Sequence, residues 1–193
     1  MSYRVALVIP CFNHADPLKG LLTKLSGLNL PTYLVDDGSA PSEQEKINRL
    51  LPDFPFVRLV RRQENGGKGA AVIDGALAAQ KDSFTHILQI DADGQHDTAD
   101  IPTLLALSKE HPDTLISGFP LYDASVPKGR LIDTSRTFGY GPKLSPRPSS
   151  TACAVFVCIR SSRYFRLFKT TSPDATWTLI QKFWCVCTGP AFR

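Results

Sequence analysis

At 193 residues, with 42% hydrophobic and 21% charged side chains, the chain is long enough for one sizeable domain and has the composition of a globular protein. No apolar run of about 18 residues occurs, and Met1-Ser2-Tyr3-Arg4-Val5 runs directly into a strand. These features exclude a transmembrane helix and a signal peptide as readings and make a cytoplasmic location the expectation. The formal net charge of +4 is unevenly spread, because residues 132–193 hold nine Lys or Arg and only two acidic residues, Asp133 and Asp174.

Arg4 to Pro10 is a continuous apolar run, the pattern of a strand buried on both faces. It ends in Cys11-Phe12-Asn13-His14. Asp16 is then expected to cap a helix with Pro17 at its first position, and Leu18, Leu21, Leu22, Leu25 and Leu28 to form the apolar face of that helix. Tyr33-Leu34-Val35 predicts a second strand closing in Asp36-Asp37-Gly38-Ser39. Ser42 with Glu45 resembles a capping box for a helix to about Leu51. Phe56 to Val60 predicts a third strand, Asn65 to Gly69 a loop, and Ala70 to Gln80 a helix. A fourth strand, His86 to Ile90, runs into Asp91-Ala92-Asp93-Gly94-Gln95-His96. A helix from about Thr98 to Glu110 and a strand over Thr114 to Ser117 follow.

Strands alternating with helices at this spacing predict an α/β fold with a mostly parallel sheet and helices on both faces. The polar residues that follow four of the strands, Asn13 and His14, Asp36 and Asp37, Lys68, and Asp91 with Asp93, then share one edge of the sheet, where such folds hold ligands. Asp91 and Asp93 are hard oxygen donors suited to Mg or Mn. Taken alone, D-x-D is more often the polar turn after a strand than a metal site. An EF-hand loop is excluded, since counting from Asp91 puts His96 at the sixth position and Pro102 at the twelfth, where Gly and Glu are required. Gly66-Gly67-Lys68-Gly69 lacks the Ser or Thr that follows the lysine in a P-loop, so an ATPase is not expected. A glycine-rich turn with one Lys still lets a diphosphate approach closely, but seen alone it is equally a helix-initiating loop with a solvated lysine. Asp36 and Asp37 could accept from a ribose or a base edge, and alone they are an ordinary acidic turn.

Four motifs, V-A-L-V-I-P-C-F-N, L-V-D-D-G-S, N-G-G-K-G-A-A and I-D-A-D-G-Q-H, resemble in order and spacing those of family 2 glycosyltransferases, nearest the dolichyl- and polyprenyl-phosphate sugar synthases. The resemblance spans residues 5 to about 131. It implies a GT-A fold, a Rossmann-like three-layer α/β/α sandwich, and transfer of a sugar, with inversion, from a nucleoside-diphosphate sugar to a polyprenyl phosphate or a cell-envelope glycan or lipid. It also implies that Pro10, Asn13, Asp36 and Asp37 line a nucleoside pocket and that Lys68 lies near the nucleotide. Asp91, Asp93 and Gln95 would surround Mg or Mn, with Asp91 also near the donor. His14 stands where many relatives carry Glu. His96 could be a metal ligand by its chemistry, but it is read as a surface histidine. The sequence identifies no acceptor-side base. A lipid-phosphate acceptor implies peripheral contact at the inner face of a membrane, and no nucleic-acid partner is expected.

The resemblance stops near Leu131, which divides the chain into a nucleotide-sugar-binding domain, 1–131, and a divergent tail, 132–193, for which no fold is predicted. A change of reading frame near Leu131 would explain the tail. Back-translated and read one base earlier, Thr137 to Leu144 can give His-Phe-Trp-Val-Trp-Thr-Glu-Thr, and Thr151 to Ile159 can give a segment containing Gly-Phe-Arg, like one in the family. On this reading the basic charge and the cysteines of the tail are incidental, and Cys185-x-Cys187 is in any case a poor metal spacing. Two other functions are weighed against an active transferase. One is a nucleotide-sugar-binding remnant that lacks the acceptor half. The other is a sugar nucleotidyltransferase, which would normally show a G-x-G-T-R-like loop where Pro10-Cys11-Phe12-Asn13 stands.

Overall fold

A computed structural model describes residues 2–94, 96–112, 116–117 and 154–158. The elements in chain order are β1 (Val5–Cys11), α1 (Leu18–Leu25), β2 (Thr32–Asp37), α2 (Pro41–Leu50), β3 (Val57–Arg62), α3 (Gly67–Lys81), β4 (His86–Ile90), α4 (Ile101–Glu110), β5 (Ile116–Ser117) and β6 (Ala154–Cys158). They build one sheet in the order β3-β2-β1-β4-β6-β5. β3, β2, β1 and β4 run parallel, while β6 pairs antiparallel with β4, His86 opposite Cys158 and Ile90 opposite Ala154. The mostly parallel α/β sheet expected from the alternation of elements is therefore present. The pairing of Ala154–Cys158 beside β4 was not anticipated.

The strands bury both faces because each is covered. Val5, Leu7, Ile9 and Cys11 of β1 share one cluster with Leu34, Leu88 and Ile90 and with Leu18, Leu21, Leu22 and Leu25 of α1. Burying each of those leucines stabilises the fold by about 1.5–3 kcal/mol. The alternate residues, Ala6 and Val8, join Tyr33, Val35 and Ile87 against Ala71, Ala76 and Ala79 of α3. That helix lies unusually close to the sheet. A Cβ on Gly75 would stand 2.5 Å from Val8 Cγ1 and 2.9 Å from Val35 Cγ2, so only glycine fits there.

Four local expectations need correction. Asp16 does not cap α1. The helix begins at Leu18 with Pro17 at the N-cap and no side-chain cap, and Asp16 instead pairs with Lys46 at 2.8 Å. Ser42 forms no capping box, because Pro41 occupies the first turn of α2 and Ala40 is its N-cap. Proline is already set for that position. Lys68, expected in a loop, lies in the first turn of α3, which begins at Gly67. Asp36 and Asp37 are the last two residues of β2 rather than part of the loop after it. Among the described residues, no helix is long and apolar enough to cross a membrane.

Candidate active site

The strand order reverses between β1 and β4, and in doubly wound sheets ligands bind outside the carboxyl ends of the strands at such a point. The predicted residues gather there. Asn13, in the left-handed region at φ 48°, ties the loop after β1 to the loop after β2. Its side-chain carbonyl accepts from the Ala40 amide at 2.7 Å, and its own amide donates to Ser39 Oγ at 2.9 Å. Pro10, within β1, is buried beside it, and His14 is exposed. The Cys11 thiol accompanies this loop; burial above all pushes its pKa up to about 11, which leaves it a protonated packing group.

Asp36 and Asp37 are buried carboxylates with partners from the protein. Asp36 accepts from the Ser39 amide at 3.0 Å and from Arg61 Nε at 2.9 Å. Asp37 accepts from Arg62 and, at 3.0 Å, from the amide of Gly66. Arg62 also reaches Asp74 on α3 at 2.7 Å. These contacts compensate the cost of burying the two charges and fix the approach to α3. Asn65 completes the join, its side chain accepting from the Gly67 amide at 3.1 Å. The first turn of α3, rich in glycine and poor in helix propensity, is thus held from outside by Asp37 and Asn65. Gly38 allows the two loops to meet. It has φ +72°, and a Cβ there would lie 2.6 Å from the backbone of both Glu64 and Asn65.

Held in this way, Lys68 Nζ lies 2.5 Å from Asp91 Oδ1 at the end of β4. The same oxygen accepts from Gln89 Nε2 at 2.7 Å. Gln89 and Asp91 are two apart and so face the same side as Ile87, the side covered by α3. Asp93 lies in the turn beyond, half-buried. Gln95, the third expected metal ligand, lies outside the described residues. Among the described residues, no three His, Cys, Asp or Glu side chains are grouped so as to hold a metal ion.

His96 is not the surface residue expected from the sequence. Gly94 takes φ +69°, the chain turns there, and His96 falls inside with 6% of its surface exposed. Its Nε2 lies 3.8 Å from Asp91 Oδ2. Among the described residues, neither ring nitrogen has a hydrogen-bond partner. Burial pushes its pKa down, against the opposing pull of Asp91 and Asp93, and Lys68 adds to the lowering. Periodicity gave no signal for this placement, since D-A-D-G-Q-H has none. The only hint was a glycine two residues before the histidine.

Residues 6–168 match the profile of the family described as "Glycosyl transferase family 2". The chain belongs to that family. This glycosyltransferase sequence is 31% identical over 143 residues to the dolichol-phosphate mannosyltransferase of Pyrococcus furiosus, covering 67% of this chain and 40% of that protein. It is 26% identical over 149 residues to the undecaprenyl-phosphate mannosyltransferase of Micrococcus luteus, covering 75% and 59%. The family 2 chain thus spans between 40% and 59% of the length of these two relatives. The fold is shared with the crystal structure of S. aureus TarS 1-349, at TM-score 0.50 and 15% identity, over 81% of this chain and 47% of that one.

Proposed function

We propose that this family 2 glycosyltransferase chain binds a nucleoside-diphosphate sugar at the β1–β4 switch point and transfers the sugar, with inversion and with a divalent cation, to a lipid-phosphate acceptor. The observation that carries the reading is the meeting of Lys68 with Asp91 at 2.5 Å, at the carboxyl end of β4. It puts a cationic side chain, the positive end of a 15-residue helix and a carboxylate at one point. Lys68 and the N-terminus of α3 suit the negative diphosphate. The residues also fit a cation, because Asp91 Oδ2 faces a buried imidazole with no other partner among the described residues. Asp91, with Asp93 and, by the family resemblance, Gln95, would hold Mg or Mn alongside phosphate oxygens and water, as such ions are usually held. When bound, the ion supplies charge neutralisation on the departing nucleoside diphosphate.

In this reading Pro10 and Asn13 shape the nucleoside side of the pocket. Asp36 and Asp37 border it and keep the two loops in register, with unused acceptor positions on each carboxylate. The donor half lies within residues 1–131, and the acceptor half falls from residue 132 onward. The lipid-phosphate acceptor class follows the names of the two mannosyltransferases above, and such an acceptor would bring the protein to a membrane surface.

The test is transfer of labelled sugar from GDP- and UDP-sugars, with Mn, to polyprenyl phosphate in vesicles. Label in the lipid fraction, with the anomeric configuration of the donor inverted, is expected. Binding of the nucleotide sugar without transfer to any lipid phosphate would instead identify a nucleotide-sugar-binding remnant.

A further inference from the structure

His96 is buried at the end of β4, on the segment that carries the two site aspartates, and the contacts so far described give it no task. A buried polar group without a partner is costly, about 1–3 kcal/mol, and native structures keep few of them. Both ring nitrogens of His96 are in that position among the described residues. One of them faces Asp91 Oδ2 across 3.8 Å, too far for a hydrogen bond. Two ligands of one first-row cation, each bonded at about 2.1 Å, stand roughly 3–4 Å apart. The gap leaves room for an ion between them.

We propose that His96 supplies a nitrogen ligand, beside the Asp91 carboxylate, to the divalent cation of the donor site, and that it biases this site toward Mn over Mg. The inference rests on the donor-site reading given above. Imidazole favours transition metals, whereas carboxylate, carbonyl and water suit Mg equally well. The neutral form of the ring is the ligating form. Even with Asp93 and Gln95 counted beside Asp91 and His96, a six-coordinate ion keeps positions open for diphosphate oxygens.

Pulsed EPR of Mn(II) bound to the full chain, alone and with GDP or UDP, tests this directly. Wild-type protein is expected to show nitrogen coupling of a directly bound imidazole, and this coupling should change when the chain is made with [15N]histidine. That experiment needs no substitution in the buried site. His96→Ala, checked for folding by circular dichroism, should remove the coupling. It should also weaken Mn binding by about tenfold or more, since even partners of metal ligands cost 10–100-fold when lost. The Mn-over-Mg preference should fall with it. Bound Mn without imidazole coupling would overturn the role of His96 and leave the donor site standing. No Mn binding by folded protein, with or without nucleotide, would overturn both.

Discussion

Asp91→Asn is expected to lower the affinity for GDP or UDP in the presence of Mn by about a hundredfold, to the level seen without metal, while leaving the fold intact. The reason is the number of roles that converge on one carboxylate. Asp91 Oδ1 accepts from Lys68 Nζ and Gln89 Nε2, and Oδ2 faces His96. An amide keeps the volume and one acceptor, so Gln89 stays in place. It removes the anionic oxygen a hard cation needs, and it leaves Lys68 beside a neutral group. A hundredfold corresponds to roughly 2.7 kcal/mol, within the cost of truncating one partner of a charge pair at a binding site. Calorimetric titration with and without Mn measures it. A variant that still binds nucleotide more tightly with Mn would remove Asp91 from the metal site.

Gly38→Ala should cost about 2–5 kcal/mol of stability. Two separate penalties add. The left-handed backbone at φ +72° costs a residue with a Cβ about 1–2 kcal/mol. The new Cβ would also stand 2.6 Å from backbone atoms of Glu64 and Asn65, and forcing such contacts apart costs about 1–3 kcal/mol more. Gly67→Ala is the control. Gly67 has φ +84° but nothing within 4 Å of its Cβ position, so it should lose only the backbone part. Urea unfolding of both variants separates the terms. Because Glu64 and Asn65 lead into the turn that carries Lys68, Gly38→Ala should also weaken nucleotide binding. Equal losses in the two variants would show that the loops do not meet at Gly38.

The parts of the fold legible in the sequence were those governed by burial alone. β1 and β4 are runs of apolar residues, and the leucines of α1 repeat at helical spacing, so pattern and position agree. Helix starts were less legible because contacts distant in sequence decide them. Asp16 has the chemistry of a cap, but Lys46, on α2, draws it away. Gly66-Gly67-Lys68-Gly69 reads as a loop by propensity, yet Asp37 and Asn65 satisfy the amides of Gly66 and Gly67 and the helix begins there. The convergence of Asn13, Lys68 and Asp91 on one edge followed from sheet geometry. The partners of Asp36 and Asp37 did not, because Arg61 and Arg62 come from β3, the neighbour of β2 in register, and pairing of that kind leaves no local trace. His96 was misplaced for the same reason: a turn at one glycine, rather than any pattern, puts it inside.

Hydrogen exchange of the whole chain with and without GDP-sugar or UDP-sugar and Mn locates the donor most directly. The predicted result is slowed exchange in the segments 11–16, 64–69 and 91–97, strongest when metal and nucleotide are both present and lost in Asp91→Asn. Nucleotide-dependent protection confined to other parts of the chain, with these three segments unchanged, would contradict a donor site at the β1–β4 switch point.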